Sequence, residues 1–248
     1  MRRGILLVPS LLTTVGMVAG IYALMVALNG FPYRAGAAIL IAMVLDGLDG
    51  RIARLTSSST RFGMEYDSLA DLLAFGVAPA TLLYTWALRP YGRIGWVAVF
   101  LFVICGALRL ARFNVQADAE NAGRFTGFPI PGAAGLVASS VMLVEGFNLF
   151  DGPPALGMAV LAYVLAFLMV SNIPYRDFKK TAWKDRKPFS LLAGSVLVLV
   201  VVATFPDVTL FLGLAAYALS GPAEALYHLA RRRSGRELPA QAGESANP

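Results

Sequence analysis

The sequence predicts an all-α protein, a polytopic transmembrane bundle of about eight helices. Three observations predict it. Of the 248 residues 57% are hydrophobic, and the mean hydropathy is +0.65, too apolar for a soluble domain. Several apolar runs approach the ~20 residues that a helix needs to cross a bilayer. The runs are continuous rather than alternating, which argues against a transmembrane β-barrel.

The spans follow in order. The first, 5–28, comes after Met1, Arg2 and Arg3, a start that resembles a signal peptide. It lacks a clear small-residue cleavage site and is read as a retained helix. The second, 35–53, carries Asp46 and Asp49 near its end, and the third, 66–87, carries Asp67 and Asp71 near its start. The fourth, 95–114, holds the one cysteine, Cys105, and closes on Arg109, Arg112 and Asn114. The fifth, 131–149, is entered through Gly127 to Gly135, where Pro129 and Pro131 read as a helix-entry turn. Spans six to eight are expected at 154–173, 189–205 and 208–229. Residues 1–230 then form one transmembrane domain. Residues 231–248 form a basic tail whose last part, from Ser234, is polar and expected to be disordered.

The distribution of charge says more than the net charge of +6. With the N-terminus in the cytoplasm, 18 of the 21 Lys and Arg residues fall in cytoplasmic segments, and only Arg34, Arg89 and Arg93 fall opposite. The positive-inside rule favours this orientation in an inner (cytoplasmic) membrane. The basic residues lie in short segments between spans, so nucleic acid is not an expected partner. The basic stretch 176–188, with Trp183, reads as a loop at the headgroup surface in contact with membrane lipids. One cysteine and one histidine, His228, leave neither a disulfide framework nor a thiolate or His-rich metal site.

The chemistry concentrates in Asp46 to Asp71, DGLDGRIARLTSSSTRFGMEYDSLAD. Asp46 and Asp49 are spaced i,i+3, and Asp67 and Asp71 i,i+4, so on helices each pair shares a face. A hairpin of the two helices would gather four carboxylates. These cannot all stay ionised together without cations, and hard divalent ions with oxygen ligands, Mg²⁺ or Mn²⁺, suit them. Plain ion pairing with Arg51, Arg54 and Arg61 is the structural alternative. Gly47, Gly50, Ala53, Gly63 and Ala70 surround the acids and would let helices or a ligand approach closely. Metal-bound carboxylates beside arginine suit a phosphoryl or pyrophosphate group. A carboxylate not fully used by metal can act as general base toward a hydroxyl.

The same stretch resembles the signature of the CDP-alcohol phosphatidyltransferases, D-x2-D-G-x2-A-R-x8-G-x3-D-x3-D. Asp46, Asp49, Gly50, Ala53, Arg54, Gly63, Asp67 and Asp71 match it at every fixed position. The resemblance implies a transmembrane enzyme with two divalent cations that displaces CMP from a CDP-linked lipid by an acceptor hydroxyl. It implies metal ligands at Asp46, Asp49, Asp67 and Asp71, with Asp71 also the base. Gly50, Ala53 and Arg54 resemble the nucleotide-binding positions, with Asp49 and Gly63 alongside them. Thr13 matches a further family position in span one, where Ser10 stands in place of a frequent Asn.

Three stretches, 45–80, ALRLARFNV (107–115) and GFPIPGAAG (127–135), are similar to the integral-membrane bacterial branch that uses L-serine. That branch implies CDP-diacylglycerol and L-serine as substrates, and the family implies a homodimer. Serine offers a carboxylate to bind, and Arg109 and Arg112, at i,i+3 with Asn114 beyond, are the candidates for its site. Glycerol 3-phosphate, inositol phosphate or choline as acceptor remain open, as does a cation transporter using the carboxylates as a pathway.

Overall fold

A computed structural model describes residues 7–56, 60–117, 127–173, 175 and 204–234. Side chains at some helix ends, those of Ala53 and Arg54 among them, lie outside that description. The described chain is helical, with no strand among the described residues. In order the helices are α1 (Leu7–Leu28), α2 (Pro32–Thr56), α3 (Arg61–Tyr91), α4 (Arg93–Ala117), α5 (Ile130–Phe147), α6 (Ala155–Val170) and α7 (Pro206–Ser234).

Five of them, α1, α3, α4, α5 and α7, are long and apolar enough to cross a membrane. Helix α2 has the length, but Arg34, Asp46, Asp49, Arg51 and Arg54 dilute its hydropathy. Helix α6 is apolar but shorter. The expected seventh span, the basic stretch 176–188 and the tail beyond Ser234 lie outside the described residues. Helix α7 runs on through Arg231, Arg232 and Arg233, into the stretch expected to be tail.

Helix α5 is the centre of the bundle. It is rich in Gly, Ala, Ser and Val, and most of its residues are buried, Val137 and Val141 completely. Small side chains let neighbours approach where lipid supplies no hydrophobic drive between helices. Helices α2 and α7 pack on it, α4 pairs with α6, and α1 lies along α2 and the first half of α3. Leu11, Val18, Val44, Phe100, Ile104 and Phe167 point outward, as a lipid-facing surface requires. Pro129 caps α5 and Pro131 occupies its first turn, as the sequence predicts.

The contact that positions the site is the crossing of α1 and α3. A Cβ on Gly20 would lie 2.7 Å from Cα and Cβ of Ala74, so the two backbones meet directly. At Ala74 itself α3 changes hydrogen bonding. Residues Leu72–Val77 form a π-helical turn, in which the Ala78 N–H donates to the Leu73 carbonyl, five residues back. A second such turn, Tyr84–Leu88, follows. Thr81 Oγ1 donates to the Val77 carbonyl and Thr85 Oγ1 to the Thr81 carbonyl, each at 2.9 Å, satisfying acceptors along the altered ladder.

Candidate active site

Three carboxylates converge where α2 ends and α3 begins. Asp46 comes from α2, and Asp67 and Asp71 come from successive turns of α3. One oxygen of each lies within 4.8 Å of the others. All three are partly buried. The four-residue spacing that aligns Asp67 with Asp71 also puts Ala70 and Phe75 on the inner side, where both are buried. Three converging carboxylates, with no nitrogen or sulfur donor in the group among the described residues, make a set that fits hard divalent cations.

Asp49 is placed differently from its three companions. It is 5% exposed and accepts a hydrogen bond from Thr13 Oγ1 of α1. Both residues line the same cleft as the three carboxylates, with Leu12 and Gly16 of α1 and Ala42 of α2. Helix α1 thus closes one side of the site, and the sequence match at Thr13 becomes a contact with the signature itself. Gly50 is exposed beside Asp49. Gly63 sits in the first turn of α3, where its N–H donates to Thr60 Oγ1 at 3.0 Å.

The expected acceptor residues all lie near the end of α4, but each has a different partner. Arg109 Nε donates to the Phe128 carbonyl at 2.6 Å. Arg112 Nη2 donates to Asn172 Oδ1 at 2.7 Å, and Asn114 Nδ2 to Ser68 Oγ at 2.9 Å. Of the three, Arg109 lies within electrostatic range of Asp71, with no direct ion pair between them among the described residues. Asn114 reaches the same region indirectly, because Ser68 follows Asp67.

A family model, CDP-alcohol phosphatidyltransferase, matches residues 6–171. The chain belongs to this family. It is also similar to curated proteins named CDP-diacylglycerol–serine O-phosphatidyltransferase. One, from Helicobacter pylori (strain 26695), is 40% identical over 208 residues, covering 84% of this chain and 87% of that protein. One from Mycobacterium tuberculosis (strain H37Rv) is 35% identical over 225 residues, covering 87% and 78%. A third, from Methanocaldococcus jannaschii, is 32% identical over 176 residues, covering 71% and 77%.

The phosphatidyltransferase match stops at 171, yet part of the site's surroundings comes from beyond it. Asn172, Tyr175 and Tyr217 all lie after the matched region: Asn172 accepts from Arg112, and the two tyrosine rings pack on Phe128, whose carbonyl takes Arg109; residue spacing does not point to them. Nor does spacing point to Tyr66. Its hydroxyl lies 3.0 Å from Thr14 Oγ1, and its ring stacks on Phe62 at 6.0 Å. The only signal for Tyr66 was its place next to Asp67.

Proposed function

We propose that this phosphatidyltransferase moves the phosphatidyl group of CDP-diacylglycerol to the hydroxyl of L-serine, releasing CMP. The observation that carries the reading is the convergence of Asp46, Asp67 and Asp71 in a chain related to serine-using enzymes along most of its length, with Arg109 within electrostatic range of Asp71. Asp46, Asp67 and Asp71 would hold the divalent cations, Mg²⁺ or Mn²⁺, with Asp49 completing the set from its Thr13-bound position. Bound there, the cations supply charge neutralisation for the pyrophosphate and its leaving CMP.

The chain's own residues do the rest. Asp71 accepts the proton of the serine hydroxyl. The serine oxygen forms a bond to the phosphorus that carries diacylglycerol, and the bond from that phosphorus to the CMP oxygen breaks. Arg109 takes the serine carboxylate, for which a guanidinium offers two parallel donors, and this would turn the hydroxyl toward Asp71. Gly50, Ala53 and Arg54 hold the nucleotide at the end of α2. The carboxylates face the cytoplasm in an inner membrane, as the 18-to-3 division of basic residues supports, and the working unit is a homodimer.

The test is CMP release by the purified protein in detergent, with CDP-diacylglycerol and Mg²⁺ or Mn²⁺. Serine, glycerol 3-phosphate, inositol phosphate and choline are offered separately. Release is expected with serine and metal together. Release with another acceptor alone would discard serine and keep the metal site. Metal binding with no release under any condition would return weight to cation transport.

A further inference from the structure

Arg109 is held by a backbone carbonyl, and that carbonyl is itself held. Phe128 is fully buried, and its ring meets those of Tyr175 at 5.4 Å and Tyr217 at 5.6 Å. Tyr175 and Tyr217 meet edge to face, also at 5.6 Å. The three rings come from the entry to α5, the chain after α6, and α7. Further bonds tie the same corner: the Phe128 N–H donates to the Leu168 carbonyl, the Gly127 N–H to the Ile173 carbonyl, both at 2.9 Å, and the Tyr175 hydroxyl to the Ala218 carbonyl at 3.1 Å. Gly127 has φ +84°, and a Cβ there would sit 2.4 Å from the Met169 carbonyl oxygen, so the peptide has little room to move.

We propose that the Phe128–Tyr175–Tyr217 cluster is a positioning device for Arg109, so that α7, outside the region the family model matches, sets how the enzyme binds its acceptor. The clamped Phe128 carbonyl takes Arg109 Nε. Among the described residues the Nη groups have no other hydrogen-bond acceptor, which leaves that edge of the guanidinium for a carboxylate. Tyr175 and Tyr217 are positioning residues, since they act through Phe128. The proposal rests on the reading of Arg109 as the serine-carboxylate ligand, and its test separates the two.

The experiment measures KM and kcat for serine, KM for CDP-diacylglycerol and the thermal midpoint in detergent. The variants are Arg109→Ala, Tyr217→Leu, Tyr217→Phe and Gly221→Ala. A Cβ on Gly221 would lie 2.5 Å from the Tyr175 ring, so that variant disturbs the cluster without touching Arg109 or Phe128. Tyr217→Leu and Gly221→Ala are expected to raise the serine KM about tenfold, with the other two kinetic constants within about twofold. Tyr217→Phe, which keeps the ring, is expected to return the serine KM to within about threefold of wild type. If Arg109→Ala leaves the serine KM unchanged, the acceptor reading fails and the proposal with it. If Arg109→Ala raises it but Tyr217→Leu and Gly221→Ala do not, the reading stands and the positioning device is overturned. A parallel loss in all kinetic constants with a lowered midpoint would mark the cluster as structural only. Equal effects of Tyr217→Phe and Tyr217→Leu would put the hydroxyl in contact with substrate, also against the proposal.

Discussion

The carboxylate corner and the arginine corner of this site are built in opposite ways. Asp46, Asp67 and Asp71 come from two consecutive helices, and their spacing alone lays them on facing sides. Arg109 and Arg112 lie on one helix, but their partners are scattered along the chain. Phe128 is at the start of α5, Asn172 follows α6, and Tyr217 is in α7. A site made from neighbouring turns keeps its geometry as long as one hairpin holds. A site made from four segments depends on the whole bundle, and there a change far from the substrate can alter acceptor binding while leaving the phosphoryl chemistry alone.

The largest expected effect belongs to the carboxylate corner. Asp67→Asn, or removal of divalent ions with EDTA, should lower turnover by at least about a thousandfold, because the charge on the leaving group is then left without its counter-ions. Stopped CMP-release assays check this, and restoring Mn²⁺ should recover the chelated wild type but not the variant. Thr13→Val comes next. It strips the donor from a buried carboxylate, a loss of about 1.5–3 kcal/mol or ten- to a hundredfold, and it should appear in kcat/KM for CDP-diacylglycerol. A matching rise in serine KM would mean that the two corners are coupled more tightly than their separate construction suggests.

At the arginine corner Asn172→Ala should raise the serine KM only a few-fold, because its bond to Arg112 is exposed and worth about 1 kcal/mol. An effect as large as that of Arg109→Ala would place Arg112 in direct contact with serine. The smallest effect is expected at the opposite end of α3. There Trp86 Nε1 donates to Glu145 Oε1 at 2.6 Å on an exposed face, and Trp86→Phe should leave both KM values within about twofold. Packing rather than chemistry is tested by Gly20→Ala. Its Cβ would collide with the α3 backbone at Ala74, and overpacking of this kind costs about 1–3 kcal/mol, read as a lower thermal midpoint.

The same contrast explains what the sequence disclosed. The long apolar runs and the aspartate spacings are local, periodic signals, so the helices and the carboxylate corner were legible. The position of Asp49 was less so. Spacing puts it one turn from Asp46, but only the crossing of α1 turns Thr13 onto it. The π-helical turns of α3 were also hidden, because Leu72–Val77 and Tyr84–Leu88 read as ordinary apolar helix in the sequence. The arginine corner was half visible. Two arginines at i,i+3 marked the donors, while their partners lie 19 and 60 residues away, a separation that no local pattern encodes.

The most direct test follows the serine itself. Isotopically labelled L-serine, CDP-diacylglycerol and Mn²⁺ are given to the protein in liposomes, and the lipid product and CMP are quantified together by mass spectrometry for wild type and Asp71→Asn. Labelled phosphatidylserine and CMP should form in equal amounts, and Asp71→Asn should lower both by about 10²–10⁴-fold, the contribution of a positioned general base. Full turnover by Asp71→Asn, or CMP without labelled lipid, would contradict the account.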